Sequence, residues 1–210
     1  MGQHNDNDND NNYLKYFKVI IVGNPATGKT SIMEKFMCNK FDSNYKKSIT
    51  PITYNQIYTA NGIDYSFDVF DIPGDYHKNL DMIKTFSNGA NGIIYCCKCG
   101  DEQSRRDLLT FWKDTLNPDE KIPKILIENM CDLLGEKENY YNDRKSLKKT
   151  ANLLGCSYFF RTSALNGYEI TDSLETLFNK MIQNFKIELI EENNKIESEE
   201  KGCCHSCYHY

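Results

Sequence analysis

The stretch Gly23-Asn24-Pro25-Ala26-Thr27-Gly28-Lys29-Thr30 limits what this chain can fold into more than any other. The apolar run Val19-Ile20-Ile21-Val22 precedes it. Ser31-Ile32-Met33-Glu34-Lys35-Phe36-Met37 follows, with apolar positions 32, 33, 36 and 37 at helical spacing. A strand, a glycine-bounded loop, Gly-Lys-Thr and a helix form the context of a phosphate-binding loop, the P-loop. Gly23 and Gly28 let the backbone turn and approach phosphate oxygens with no Cβ in the way. Successive N–H groups then make an anion site at the positive end of the new helix. Lys29 adds a full charge at the β/γ-phosphates, and the Thr30 hydroxyl can ligate Mg²⁺. An ordinary glycine turn between strand and helix is the bland alternative. The complete eight-residue pattern in the right context argues against it.

The chain has 210 residues, enough for one domain with a proper core and too few to demand two. No apolar run approaches the ~20 residues of a membrane helix. Met1 to Asn12 is Asn/Asp-rich without an apolar core, so neither a signal peptide nor a folded element is expected there. Gly2 raises N-myristoylation, but Asp6 stands where Ser or Thr is wanted. A net charge of −5 without a basic block argues against nucleic acid as a partner. Nine cysteines without a secretory signal read as reduced cytosolic thiols.

Taken in order, the chain alternates strands and helices. Strands are expected at Tyr13–Val22, Thr53–Ala60, Tyr65–Phe70, Gly92–Cys97, Lys124–Ile127 and Tyr158–Phe160. Asn61-Gly62 is a strong hairpin signal between the second and third. Helices are expected from Lys29 to about Asn39, near Asp81–Phe86, around Leu108, Leu109 and Trp112, and around Leu147–Leu154. A final helix carries the stripe Ile170, Leu174, Leu177, Phe178 and Met181. From about Ile190 the chain is Glu/Asn/Lys-rich and is expected to be unpacked. This pattern predicts an α/β fold with a mainly parallel sheet between two helical layers, and ligand beyond the C-terminal strand ends. Cys96, Cys97 and Cys99 belong to a buried strand, where alternate side chains point to opposite faces, so core packing outweighs a metal cluster.

Three further motifs sit at strand ends: Asp71-Ile72-Pro73-Gly74, Asn129-Met130-Cys131-Asp132 and Thr162-Ser163-Ala164. With the P-loop they make residues 13 to 180 resemble a Ras-superfamily small GTPase, nearest the Rab branch. The resemblance implies a P-loop NTPase G domain at 13–185, with a mostly parallel six-stranded sheet and helices on both faces. A disordered extension at 1–12 and a hypervariable tail at 186–210 would flank it. It also implies GTP/GDP as ligand and Mg²⁺ as cofactor. Nucleotide contacts would come from Gly23, Asn24, Pro25, Ala26, Thr27, Gly28, Lys29, Thr30 and Ser31. Asp71 would hold the metal through water, beside Thr30 and Ser48, and the Gly74 N–H would meet the γ-phosphate. Asp132 would accept paired hydrogen bonds from guanine, which adenine cannot supply. Ser163, Ala164 and Leu165 fall in the loop that reads guanine O6, Asn129 and Met130 beside it. Phe41 falls where the family stacks an aromatic on the base, and Tyr45 where a tyrosine closes over the phosphates. Lys29, Gly74 and Asp75 are the candidate catalytic residues.

Four departures from the family pattern stand out. Asp75 occupies the place of the glutamine that orients the attacking water, which predicts slow hydrolysis. Pro25 deletes an N–H donor in the P-loop and fixes φ. Met130 and Leu165 replace lysines around the base and sugar, which predicts weaker binding and faster exchange. In switch I, Ser48 replaces the usual Thr, and Ile49-Thr50-Pro51-Ile52-Thr53 alters the adjoining surface. A nucleotide-dependent binding module with negligible turnover is therefore the rival reading. A P-loop kinase or ATPase is disfavoured by Asn129 and Asp132. The resemblance implies effector, exchange-factor and GAP partners, a monomer, and a cytoplasmic location at a membrane surface. Cys203 and Cys204 resemble a double geranylgeranylation site, although six residues follow them. Two lipids would suit a tail whose glutamates offer no basic patch. Unmodified or palmitoylated cysteines, or zinc on Cys203, Cys204, Cys207 and His209, remain open alternatives.

Overall fold

The computed structural model describes residues 14–44, 46–116, 118–134 and 140–203. Six strands form one sheet in the order β2-β3-β1-β4-β5-β6. They are β1 (Lys15–Val22), β2 (Ile52–Ala60), β3 (Ile63–Asp71), β4 (Gly92–Lys98), β5 (Lys124–Asn129) and β6 (Tyr158–Thr162). Only the edge strand β2 runs antiparallel, paired with β3 from Ile52↔Asp71 to Ala60↔Ile63. Its hairpin turn has positive φ at both Asn61 (53°) and Gly62 (75°), the geometry that a tight Asn-Gly turn permits. All other pairings are parallel, so β1, β3, β4, β5 and β6 end on one edge of the sheet.

Strand pleat divides the core into two layers. Phe17, Val19 and Ile21 of β1 face one side with Ile94, Cys96, Ile125 and Ile127. On that side lie α1 (Lys29–Cys38) and α6 (Ile170–Cys203), which contribute Ile32, Met33, Leu174, Leu177, Phe178 and Met181. Phe67 stacks on Phe178 with ring centroids 4.0 Å apart. Ile20 and Val22 face the other side with Tyr95, Cys97 and Leu126. There Ile83 of α2 (Leu80–Ser87) and Leu147, Ala151 and Leu154 of α5 (Tyr140–Leu154) cover them. Between those two helices, α3 (Glu102–Asp107) passes through a π-helical turn, Leu108–Trp112, into α4 (Lys113–Leu116). The Lys113 N–H reaches the Leu108 carbonyl, the five-residue bond that defines such a turn, and Trp112 is fully buried.

The helix expected around Leu108, Leu109 and Trp112 is present, with the π turn inside it. Beyond Ile190, where an unpacked chain is expected, residues 187–195 are exposed, and they are helical, since α6 continues to Cys203. Its Glu, Lys, Leu and Ile content favours helix, and no glycine or proline interrupts it before Gly202. Tyr45 and Cys204 lie outside the described residues.

The three cysteines of β4 and its end are core, at 0%, 0% and 5% exposure for Cys96, Cys97 and Cys99. Burial raises the Cys96 thiol to about 11 and Cys97 well above the ordinary thiol value, so neither supplies thiolate at neutral pH. Cys38 is exposed. Peptide mapping after iodoacetamide treatment of native protein at pH 7.5 (about one unit below the ordinary thiol pKa) checks this. We expect Cys38 to be alkylated and Cys96 and Cys97 to be protected until denaturant is added.

Candidate functional site

The parallel strand ends carry the predicted motifs to a common edge. β1 delivers the P-loop, β3 ends in Asp71, β5 in Asn129 and β6 in Thr162. Ten of the predicted residues line one cleft: Pro25, Ala26, Gly28, Lys29, Thr30, Ser31, Ser48, Gly74, Asp75 and Met130. The loop needs its glycines for contact as well as for backbone angle. A Cβ on Gly23 would lie 2.0 Å from the Cys96 carbonyl oxygen, and one on Gly28 2.3 Å from Asn129 Nδ2. Ala26 also has positive φ, at 60°.

Lys29 is 6% exposed. Its ammonium donates to the carbonyls of Gly23 (2.8 Å) and Asn24 (3.0 Å). Burial lowers its pKa, while the nearby Asp71, Cys96 and Asp75 act the other way. Thr30 donates its hydroxyl to Asp71 and lies 2.9 Å from the Ser48 hydroxyl. Burial also raises the Asp71 carboxyl above the usual range, opposed by the Thr30 hydrogen bond and by Lys29. The second oxygen of Asp71, Oδ1, is buried without a hydrogen-bond partner. An orphaned carboxylate oxygen beside two hydroxyls suits a hard divalent cation, since such a cation takes oxygen donors and water. Among the described residues no cluster of three or more His, Cys, Asp or Glu offers a rival metal site.

Gly74 opens a 3₁₀ turn, Gly74–Lys78, directly on the P-loop. A Cβ there would lie 2.2 Å from Pro25 N and 2.5 Å from the Asn24 carbonyl carbon. Asp75 follows and pairs with Lys47, joining the loop before β2 to the turn after β3. Sequence reasoning identified Asp75 but missed Lys47, one of three lysines among residues 40–47 with nothing to separate it from the others.

At the other end, Asn129 is fully buried and ties three segments together. Its Nδ2 donates to the Thr27 carbonyl (3.1 Å), and its Oδ1 accepts from Thr162 Oγ1 (3.1 Å) and the Ala164 N–H (3.2 Å). Ser163 Oγ donates to Asp132 Oδ1 at 2.5 Å. Met130 has left-handed backbone (φ 66°), and its methyl lies 3.2 Å from where a Gly28 Cβ would be, so it packs over the P-loop without charge. Phe41 and Leu165 are exposed at 40% and 53%.

Beneath these loops lies a buried ion cluster that sequence reasoning missed. Glu128 (0% exposed) accepts from Arg105 Nη2 at 2.5 Å and from Arg161 Nε at 2.8 Å. Glu128 and Arg161 are register partners on β5 and β6. They immediately precede Asn129 and Thr162, so the pair locks the two loops that follow these strands in register. The available signal was a charged residue closing the otherwise apolar run of β5, because buried charge requires a partner.

A buried lysine and an acid–hydroxyl cluster at one end, with a Ser-braced Asp at the other, define a P-loop nucleotide site. Comparison with known proteins agrees. A sequence model described as "Ras family" matches residues 18–183. Ras-related protein RABA5b of Arabidopsis thaliana is 25% identical over 180 residues, covering 83% of this chain and 78% of the relative. Ras-related protein RabG2 of Dictyostelium discoideum is 23% identical, with coverage of 80% and 83%. Ras-related protein Rab-13 of Bos taurus is 24% identical, with coverage of 91% and 93%. The chain belongs to the Ras family, as a divergent, Rab-like member of a class of GTP-binding switches.

Removing Glu128 would leave two buried guanidinium groups facing each other. We expect Glu128→Ala to lower stability by about 3–5 kcal/mol, read as a shift in the urea midpoint. A loss under ~1 kcal/mol would mean that the cluster is solvated and does not hold the loops.

Proposed function

We propose that this protein is a guanine-nucleotide switch that binds GTP and GDP with Mg²⁺ and hydrolyses GTP slowly. The observation that carries the reading is the buried Lys29 and Asp71, with Thr30 bonded between switch and strand end, joined through Asn129 to the Asp132–Ser163 pair. Backbone N–H groups of the P-loop and the Lys29 ammonium bind and orient the β- and γ-phosphates. Thr30 and Ser48 would hold Mg²⁺ directly and Asp71 through water, where the ion would supply neutralisation of phosphate charge. Asp132 takes the guanine N–H groups, and Ser163 Oγ holds that carboxylate in place. Ala164 and Leu165 follow on the same loop. Gly74 brings the second switch (about 74–87) onto the loop, and Ser48 the first (about 41–53). A ligand that favours one arrangement of these segments shifts their population.

Asp75 is the basis for slow hydrolysis. A carboxylate paired with Lys47 cannot offer the amide that orients water, and it adds negative charge beside the γ-phosphate. The same pair favours the second reading, a nucleotide-dependent binding module with negligible turnover. We further propose that the switch works in vesicle traffic at the cytoplasmic face of a membrane. Lipid on Cys203 and Cys204 would anchor it, and effectors, an exchange factor and a GAP would act on a monomer. No helix among the described residues is long and apolar enough to cross a membrane, and two lipids would suit a tail without a basic patch. Mass spectrometry of protein from its own cells reads this directly: unmodified Cys203 and Cys204 would contradict anchoring there.

Single-turnover hydrolysis tests the chemistry. Asp75→Gln is expected to hydrolyse GTP at least about tenfold faster than wild type, ~1.4 kcal/mol of barrier. A wild type as fast as the variant would remove the role given to Asp75. Met130→Lys is expected to slow GDP release, because it restores a cation where a methyl now packs over the P-loop. An unchanged release rate would mean that Met130 does not set exchange.

A further inference from the structure

Four hydrogen bonds converge on Asn24, two of them from outside the P-loop. Its Nδ2 donates to Asp107 Oδ2 at 2.6 Å, and its Oδ1 accepts from the Trp112 indole N–H at 3.3 Å. Its backbone carbonyl accepts from Thr27 Oγ1 at 2.9 Å and from Lys29 Nζ at 3.0 Å. The amide cannot be flipped without loss, because a carboxylate only accepts and an indole only donates. Asp107 is itself fixed, its Oδ1 accepting from Gln103 Nε2 at 2.7 Å. Trp112 has no freedom either, since its ring is fully buried.

The π turn explains how both partners reach one side chain. Residues five apart on an α-helix, at 3.6 per turn, point about 140° apart. The wider turn at Leu108–Trp112 brings Trp112 back towards the face of Asp107. Gly74 packs on the Asn24–Pro25 peptide. Asn24 therefore has its side chain held by α3 and its π turn and its peptide met by the turn after β3.

We propose that Asp107 and Trp112 are positioning residues for the phosphate site. By clasping the Asn24 side chain they aim the carbonyl that receives Lys29, and so fix the loop geometry in which nucleotide phosphates are bound. The inference rests on the nucleotide-binding function proposed above and extends it to α3 and its π turn, which hold Asn24 from outside the P-loop. It also makes Trp112, the sole tryptophan, a reporter of the P-loop.

The test is a double-mutant cycle on the full chain loaded with GDP, with release followed by exchange into excess nucleotide. Asp107→Ala and Asn24→Ala are each expected to speed release about tenfold, as for loss of a hydrogen bond to a charged group. The double variant should release no faster than the quicker single one, because both remove one unit. Asp107→Asn keeps an acceptor oxygen and should stay within about twofold of wild type. Trp112→Phe keeps the buried ring without its N–H and should release GDP faster than wild type. Trp112 emission should shift in Asn24→Ala, a readout that needs no nucleotide. An Asp107→Ala that stays folded and releases GDP at the wild-type rate would overturn the clasp, as would additive effects or unchanged Trp112 emission. Should Asp107→Ala fail to fold, release from Trp112→Phe and emission of Asn24→Ala decide by the same criteria. A wild type that holds no guanine nucleotide would instead overturn the function proposed above, and the emission shift would still judge the clasp.

Discussion

The buried ammonium of Lys29 is the constraint on which the rest of this structure depends. A cation that is 6% exposed needs oxygens around it, and the P-loop supplies them by turning the Gly23 and Asn24 carbonyls inward. That curl requires backbone few residues tolerate, so glycine stands where the Cys96 carbonyl and the Asn129 amide press closest. The loop's own N–H groups then point outward, ready for anions. Asp71 faces the same problem with the opposite sign. Its carboxylate is buried, one oxygen taken by Thr30 and the other without a hydrogen-bond partner. The two charges lie near enough to shift each other's proton affinity, so the buried lysine and the buried carboxyl are built as one unit.

Burying charge at the edge of a sheet requires the strand ends to stay in register, and the layers below do this. Alternate residues of β1, β4 and β5 fill two separate cores, so a slip by one residue would turn each strand inside out. Glu128 and Arg161 add a directional lock beneath the loops that follow β5 and β6. Asn129 then joins those loops to the P-loop through the Thr27 carbonyl. The P-loop and the loops after β5 and β6 are thus connected by hydrogen bonds that a change in either must disturb.

Much of this was legible in the sequence because it rests on local pattern. The P-loop, the Asn61-Gly62 turn, the apolar β4 and the stripe on α6 follow from glycine placement and periodicity, and all appear where expected. What was not legible involves pairing between distant residues. Lys47 with Asp75, Glu128 with two arginines, and Asn24 with Asp107 and Trp112 are separated by 23 to 88 positions. Composition and spacing carry no information about such partners. The π turn was hidden for a related reason: one inserted residue is set by what Trp112 must reach, and local propensity does not record it. The stretch past Ile190 is exposed, as its polar composition implies, and its Glu and Lys favour the helix it forms.

The central claim is that this edge of the sheet selects a guanine nucleotide. It is tested most directly by incubating purified protein with Mg²⁺ and equal excess GTP and ATP, then desalting, denaturing and chromatographing what was retained. Guanine nucleotide alone is expected, because Asp132, held by Ser163, would have no N–H partners from adenine. Retention of adenine nucleotide, or of none, would contradict it.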